Sequence, residues 1–529
     1  MLINLLGICL VGVLIFMKNF SDVHKFQLFG YYMNQYLDSV GKSKSKWIKP
    51  HDTLYFLGVV LVFLVNVWPI KLLGIGFLIV TLFFNRLIIK AYPAKKKCVY
   101  TPRVKRMLTT AALLLIAIIG VASFSFSFTY AIISVLLYPL SFIMIVLANT
   151  LNKPIENAIN NYYYKDAQKC LAKNPNLIVI GITGSYGKTS TKNVLYTMLS
   201  KDFNVLMTPE SFNTKMGLTR TIREHLKPTH QILIAEMGAK EVGDIKELCE
   251  FVSPKYGVIT SIGPQHLDTF KTFENIVSTK GELFRYLQPG GVAFVNTDDV
   301  NVSNIKLRED VTAVKYSVND NLELSPDYYI EATTIGNTGS SFTLVQRKTG
   351  KKIRLNTKLL GKHNLSNVLA GLSIALTLGV SFERLSVMTG DLRPVEHRLS
   401  TRRVNDTYTI LDDAFNSNPV GSKMALEVLK QFEGNKKIII TPGMVELGDQ
   451  FYALNKQFGE HIADACDFVI LIGKKQTSPI QDGLAEKHYP EKQIFIAGNI
   501  MEGFKKLYEI VSFNDVVLIE NDLPDTYNE

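Results

Sequence analysis

Between residues 177 and 191 the chain reads Leu-Ile-Val-Ile-Gly-Ile-Thr-Gly-Ser-Tyr-Gly-Lys-Thr-Ser-Thr, an order of residue types suited to gripping a phosphate chain. Gly184 and Gly187 let backbone N–H groups approach an anion, Lys188 supplies positive charge, and the Thr189 hydroxyl can ligate Mg²⁺. Ser185 and Ser190 complete the group expected to hold the phosphates of ATP. The motif is a short P-loop variant, with Ile182 where the general form has its first glycine. Further on, Glu236, His266 and Asp298 each follow a short apolar run. Thr189, Glu236 and His266 together offer one hydroxyl, one carboxylate and one imidazole, donors that suit a hard cation such as Mg²⁺. Taken singly, Glu236 could be a solvated strand-end acid and His266 a satisfied loop histidine.

The elements that must position these groups follow from apolar patterning. Residues 177–182 read as a buried parallel strand, and a helix is expected from Lys188 to near Ser200. Strands at 204–207, 231–235, 257–261 and 291–296 alternate with helical stretches, which predicts an α/β domain around a parallel sheet. Ligands of such sheets collect beyond the carboxyl ends of the strands, so Thr189, Glu236, His266 and Asp298 are expected on one rim. A second series, 437–441, 468–473, 494–497 and 516–519, predicts a Rossmann-like C-terminal domain.

The apolar mass lies before about residue 150. Residues 2–17 have no positive charge ahead of them, which favours a retained span over a cleaved signal. The run 54–89, about 36 residues, would be ~54 Å long as one helix against a ~30 Å hydrocarbon core. Two spans with a turn at Trp68-Pro69 are therefore expected, and 107–122 and 128–147 add two more, about five in all. Lys18, Lys25, Lys42, Lys44, Lys46 and Lys49 follow span one, and Lys90, Lys95, Lys96, Lys97, Arg103, Lys105 and Arg106 follow span three. By the positive-inside rule these loops are cytoplasmic, the N-terminus is outside, and everything after Leu151 is inside with ATP. The net charge of +11 is thus read as affinity for membrane lipids, not nucleic acid. Five scattered cysteines exclude a disulfide framework and a zinc site of paired cysteines. The expected organisation is a transmembrane region at 1–150, a linker helix at 151–174, a central P-loop ATPase domain at 175–397 and a C-terminal domain at 398–529.

Beyond the P-loop come Glu236-Met-Gly-Ala, Gly263-x-x-His266-Leu, Lys280-Gly-Glu-Leu283, Gly361-x-His363-Asn364-x-x-Asn367 and Arg398. In this order, over nearly all of 175–529, they resemble the Mur ligase family, which joins an amino acid or peptide to a carboxylate using ATP. The resemblance implies that Thr189, Glu236 and His266 hold Mg²⁺ and that Lys280 is carbamylated and helps hold a second ion. It further implies that Lys188, Lys280 and His266 serve catalysis, that His363, Asn364 and Asn367 flank the adenine, and that Arg398 and Asp413 reach phosphates and ribose. Asp413-Ala-Phe-Asn-Ser-Asn-Pro419 and Met444-Val-Glu-Leu-Gly448 are similar to turns of the D-alanyl-D-alanine-adding branch.

Two features depart from that branch. Residues 1–150 stand where a uridine-diphosphate-binding domain is expected, and Glu520-Asn-Asp-Leu-Pro-Asp525 replaces a basic turn. The resemblance implies an amino-acid or dipeptide donor and a carboxylate acceptor; with residues 1–150 in place of the uridine grip, the expected acceptor is lipid-linked and lies in the inner leaflet of the cytoplasmic membrane. The alternatives are a polymerising ligase similar to the poly-γ-glutamate synthases, or a membrane-tethered P-loop scaffold without ligase chemistry.

Overall fold

A computed structural model of the protein describes residues 2–42, 52–91, 97–124, 127–265, 267–319, 322–415, 417–445 and 447–521. The described residues divide into two compact units, 2–162 and 163–521. The described parts of the expected domains 175–397 and 398–529 thus both fall in the second unit.

The first unit is helical: α1 (Leu2–Leu28), α2 (Met33–Lys42), α3 (Asp52–Phe63), α4 (Trp68–Ala91), α5 (Pro102–Phe124), α6 (Ser127–Leu137) and the start of α7 (Ser141–Ala172). Apolar faces of α1, α3, α4 and α5 meet around Val11, Leu14, Val59, Val62, Leu78 and Leu115. Helices α3 and α4 touch through glycine. A Cβ on Gly58 would lie 3.0 Å from the Gly74 carbonyl oxygen, and one on Gly74 would lie 2.9 Å from Leu61 Cβ. Small residues allow such close approach between apolar helices.

Among the described residues, three helices are long and apolar enough to cross a membrane, those within 2–28, 68–87 and 102–121, and a fourth span is counted there only if α6 and α7, bent by 80°, are taken as one. Five were expected, and two physical facts account for the difference. Helix α3 has 12 residues, about 18 Å at ~1.5 Å per residue, too short for a ~30 Å core. The break after Leu137 divides the last apolar run. The polar linker helix expected at 151–174 is the second part of α7. Polar side chains pair between these helices: Tyr138 donates to Asp52 at 2.9 Å, and Arg106 grips Glu156 with two bonds of 2.7 and 2.9 Å.

The second unit opens with β1 (Ile178–Thr183), α8 (Lys188–Leu199), β2 (Val205–Met207), α9 (Lys215–His225), β3 (Ile232–Glu236), α10 (Asp244–Val252) and β4 (Tyr256–Ile259). It continues through α11 (Leu267–Phe270), α12 (Phe273–Arg285), β5 (Val292–Asn296), α13 (Val300–Ser303), β6 (Thr312–Ser317), β7 (Tyr328–Gly336), β8 (Gly339–Gln346), β9 (Lys352–Thr357), α14 (Lys362–Thr377) and α15 (Leu385–Gly390). The sheet order is β2-β3-β1-β4-β5-β6-β7-β8-β9. Pairing is parallel from β2 to β7 and antiparallel from β7 to β9. The inner parallel strands β1, β3, β4 and β5 are mostly apolar, as burial on both faces requires, whereas β6 and β7 carry polar, partly exposed residues. The side chains of one face pack on α8 and α14, including Ile180, Leu195 and Val368. Those of the other pack on α10 and α12, including Leu233, Leu248 and Leu283.

The C-terminal part runs β10 (Ser400–Val404), β11 (Tyr408–Asp413), α16 (Pro419–Gln431), β12 (Lys437–Thr441), α17 (Phe451–Ala463), β13 (Phe468–Ile472), α18 (Ser478–Glu486), β14 (Ile494–Ala497), α19 (Ile500–Ile510) and β15 (Val516–Glu520). Its sheet order is β10-β11-β15-β12-β13-β14, parallel except for β10 on β11. All the strands expected here are present within a residue or two.

Candidate active site

Strand β1 lies between β3 and β4, so the segments leaving all three strands emerge side by side. The P-loop is the one leaving β1. Gly184 has φ 145, and a Cβ there would sit 2.1 Å from Thr260 Oγ1; Gly187 has φ 80 and a Cβ would sit 2.8 Å from Asn367 Oδ1. Neither position tolerates a side chain, so backbone N–H groups line the turn. Neighbouring strand ends hold it in place: Ser185 N donates to Ser261 O at 2.8 Å, Ser185 Oγ to Gly263 O at 2.9 Å, and Thr260 Oγ1 to Tyr186 O. Helix α8 starts at Lys188 and so points its N-terminus at the turn. The Lys188 ammonium donates to Gly184 O (2.7 Å) and Ser185 O (3.2 Å), the backbone of the loop it would leave to meet a phosphate. Burial lowers its pKa to about 8, against the pull of Glu236 and with a push from Arg398.

Glu236, at the carboxyl end of β3, is buried. Its oxygens accept from Thr189 Oγ1 at 3.1 and 3.3 Å, from Asn213 Nδ2 at 3.2 Å, and from Lys192 Nζ at 3.0 Å. Lys192 is equally buried and also donates to Glu210 O. It was not among the expected site residues. Its signal was spacing, since Thr189 and Lys192 are three apart and share a helix face.

Thr189 and Glu236 are hard oxygen donors in contact, a pair that fits Mg²⁺, an ion that keeps several waters and takes its other ligands from phosphates. His266 lies outside the described residues, and among those described no three His, Cys, Asp or Glu side chains converge as a metal cluster.

Lys280 comes from α12 and is buried. Desolvation first, and then the nearby Lys188 charge, hold its amine well below the ordinary lysine value. Asp298 stands just beyond the carboxyl end of β5, on the expected rim, where its oxygens accept from Ser317 Oγ (2.6 Å), Val318 N (2.7 Å) and Asn319 Nδ2 (2.9 Å) and so tie β5 to β6.

A narrow cleft with a cavity volume of about 60 Å³ opens beside the P-loop. Tyr186, Gly187, Ser190, His363, Asn364 and Asn367 form one wall; Arg398, Asp413, Phe415, Ser417 and Glu520 belong to the other. Asn367 Oδ1 accepts from Thr191 Oγ1 (2.9 Å), and Asn364 Nδ2 donates to Leu360 O (2.8 Å). His363 Nδ1 is buried without a hydrogen-bond partner, and burial lowers that ring's pKa to about 4. Opposite, Arg398 lies over the Phe415 ring at 4.3 Å. His397 (φ 60) and Leu399 (φ 50) flank it in the left-handed region, which is unfavourable for such residues. Two aspartates clamp that bend: His397 Nδ1 meets Asp412 at 2.8 Å, and Leu399 N donates to Asp413 Oδ1 at 3.0 Å. Burial raises the Asp413 pKa to about 7, opposed by Arg398. Of the residues expected on ATP, Gly187, Ser190, His363, Asn364, Asn367, Arg398 and Asp413 line this cleft, and Gly184, Ser185, Lys188 and Thr189 adjoin it in the loop.

Residues 182–375 match the model of the Mur ligase middle domain, and residues 397–520 that of the Mur ligase, glutamate ligase domain. The chain is 27% identical to the UDP-N-acetylmuramoyl-tripeptide–D-alanyl-D-alanine ligase of Bacillus subtilis over 344 residues, 65% of this chain and 72% of that protein. It is 29% identical to the enzyme of that name from Buchnera aphidicola over 56% of this chain and 64% of that protein, somewhat under two thirds. MurF from Acinetobacter baumannii superposes with a TM-score of 0.62 at 24% identity, over 70% of this chain and 78% of that one. The MurF ligase of Thermotoga maritima in complex with ADP gives 0.62 at 24%, over 70% and 81%. These superpositions concern the fold.

Proposed function

The chain belongs to the Mur ligase family, and from that premise we propose that it is an ATP-dependent carboxylate–amine ligase that forms an amide of a wall peptide through an acyl phosphate. The observation that carries this is the meeting of Lys188, Thr189, Glu236, Lys280 and Arg398 around one P-loop. A scaffold that merely bound nucleotide would have no need of all five.

A carboxylate is a poor acyl donor because oxide is a poor leaving group. Transfer of the γ-phosphoryl to a carboxylate oxygen makes phosphate the leaving group, and an amine then displaces it. Lys188 and the P-loop N–H groups hold the phosphates, Arg398 supplies a second cation from the facing wall, and the cleft holds the reactants in line. His363, Asn364 and Asn367 take the adenine, and Asp413 the ribose side. Bound Mg²⁺, held by Thr189, Glu236 and His266, would neutralise charge developing on the phosphoryl oxygens. Lys280 has the property that carbamate formation demands, an amine kept neutral: R–NH₂ and CO₂ give R–NH–COO⁻ and a proton. The new carboxylate is a hard oxygen donor for a second ion.

The acceptor we propose is carried on a lipid in the inner leaflet, with the second unit cytoplasmic. Three apolar helices of spanning length support a place at the bilayer, and the need of the P-loop for ATP supports a cytoplasmic second unit. ADP release by detergent-solubilised protein, supplied with dipeptides and either lipid-linked or nucleotide-linked peptide carboxylates, is expected to favour the lipid-linked acceptor. Preference for the nucleotide-linked one would remove the membrane acceptor while leaving the ligase standing.

A further inference from the structure

Glu520 ends β15 beside Asp413 at the end of β11, in parallel register. The two carboxyl groups therefore leave adjacent strands at the carboxyl edge of the sheet, where ligands of such sheets bind. Glu520 is completely buried, and Ser417 Oγ donates to its Oε1 at 2.5 Å. Its Oε2, among the described residues, has no hydrogen-bond partner. A buried carboxyl oxygen left unpaired is costly, so it calls for a partner that arrives with a ligand. The same cleft has a second orphan on its other wall, His363 Nδ1. Two unpartnered polar atoms face a space whose lining also includes Tyr186, Gly187 and Ser190 of the phosphate loop and its helix.

We propose that Glu520, together with Asp413, is a specificity-determining acceptor for the ribose hydroxyls of the bound nucleotide. This rests on the ATP site proposed above. Phosphates held at Gly184–Thr189 place the nucleoside in the adjoining cleft, and the nucleoside offers a vicinal pair of hydroxyls that both donate and accept. The alternative donor is the ammonium of the amine substrate. Chemistry favours the sugar: burial and the neighbouring Asp413 hold the Glu520 carboxyl well above its ordinary value, a condition that suits a neutral hydroxyl and disfavours a cation, which needs an ionised partner. Arg398 already supplies the positive charge that faces Asp413.

The test compares ATP, 2′-deoxy-ATP and 3′-deoxy-ATP by calorimetric binding and by steady-state ADP release, with the full-length protein in detergent. The wild-type protein is expected to bind at least one deoxynucleotide ~10-fold more weakly than ATP, as the loss of one partner from a buried acceptor implies. Glu520→Ala is expected to erase most of that difference and the near-isosteric Glu520→Gln, whose amide oxygen still accepts, to keep much of it, with the change in the nucleotide KM and not in the amine KM. Equal binding of all three nucleotides by the wild type overturns the proposal with no variant needed. A change confined to the amine KM assigns Glu520 to the amine instead and equally overturns it. Failure of the wild type to bind Mg–ATP at all would contradict the ATP site itself, which separates the two claims.

Discussion

Lys188 is the residue on which pH should act most visibly. Its pKa is lowered to about 8, so between pH 8 and the ordinary lysine value the unfolded chain holds a proton that the folded one lacks. Folding therefore gains stability from this group as pH rises through that window, while the site loses the cation that attracts phosphate. Nucleotide affinity, measured by titration calorimetry, is expected to fall on the order of tenfold from pH 7.5 to 9.5, and Lys188→Arg to flatten that fall. Lys192 sets a stability prediction. Paired with Glu236 in a buried site, it leaves an uncompensated charge when replaced, so Lys192→Met should lower unfolding free energy by about 3–5 kcal/mol in denaturant titration. Adding Glu236→Gln should restore part of it; equal losses in the single and double variants would contradict the pairing. Lys280→Ala should abolish turnover and short carboxylic acids should partly restore it, because the acid supplies the lost oxygen donor. Undiminished turnover in that variant would remove the carbamate.

The elements show how much was legible. The P-loop, its strand, its helix and the strand-end position of Glu236 were open to reading because local patterning specifies them: apolar β-branched runs, glycine turns, a hydroxyl after lysine. Lys280, the His363–Asn367 segment and Arg398 stood out only through the resemblance to the Mur ligase family. The pairing of Asp413 with Glu520 was not legible as a pair, since it depends on the register of two strands about a hundred residues apart. Asp298 stands where the pattern puts it, and only the neighbouring strand end reveals that its oxygens are taken. The antiparallel strands β7–β9 have no place in a pattern of alternating strands and helices, and were not anticipated. Close approach is the other hidden quantity. A Cβ on Gly263 would lie 2.6 Å from the Tyr186 ring, so Gly263→Ala should push the P-loop tyrosine aside and raise the KM for ATP about tenfold or more, as sub-ångström misplacement in a site does. An unchanged KM would mean that the ring swings away freely.

At the scale of the molecule, the claim is that an acid is activated by ATP in the second unit while the first holds the protein at a bilayer. The first unit predicts that the protein stays in the membrane fraction through alkaline carbonate and is released by detergent; release by carbonate alone would contradict spanning helices. The second rests on a phosphate loop, a hard-donor pair and a facing arginine, assembled from two sheets whose carboxyl edges border one cleft. The most direct measurement follows the oxygen. With the acceptor carboxylate labelled with ¹⁸O and an amine donor supplied, an acyl phosphate carries one labelled oxygen from the acid to phosphorus. The account predicts one ¹⁸O in each released phosphate, seen by mass spectrometry. Unlabelled phosphate accompanying amide formation would contradict it.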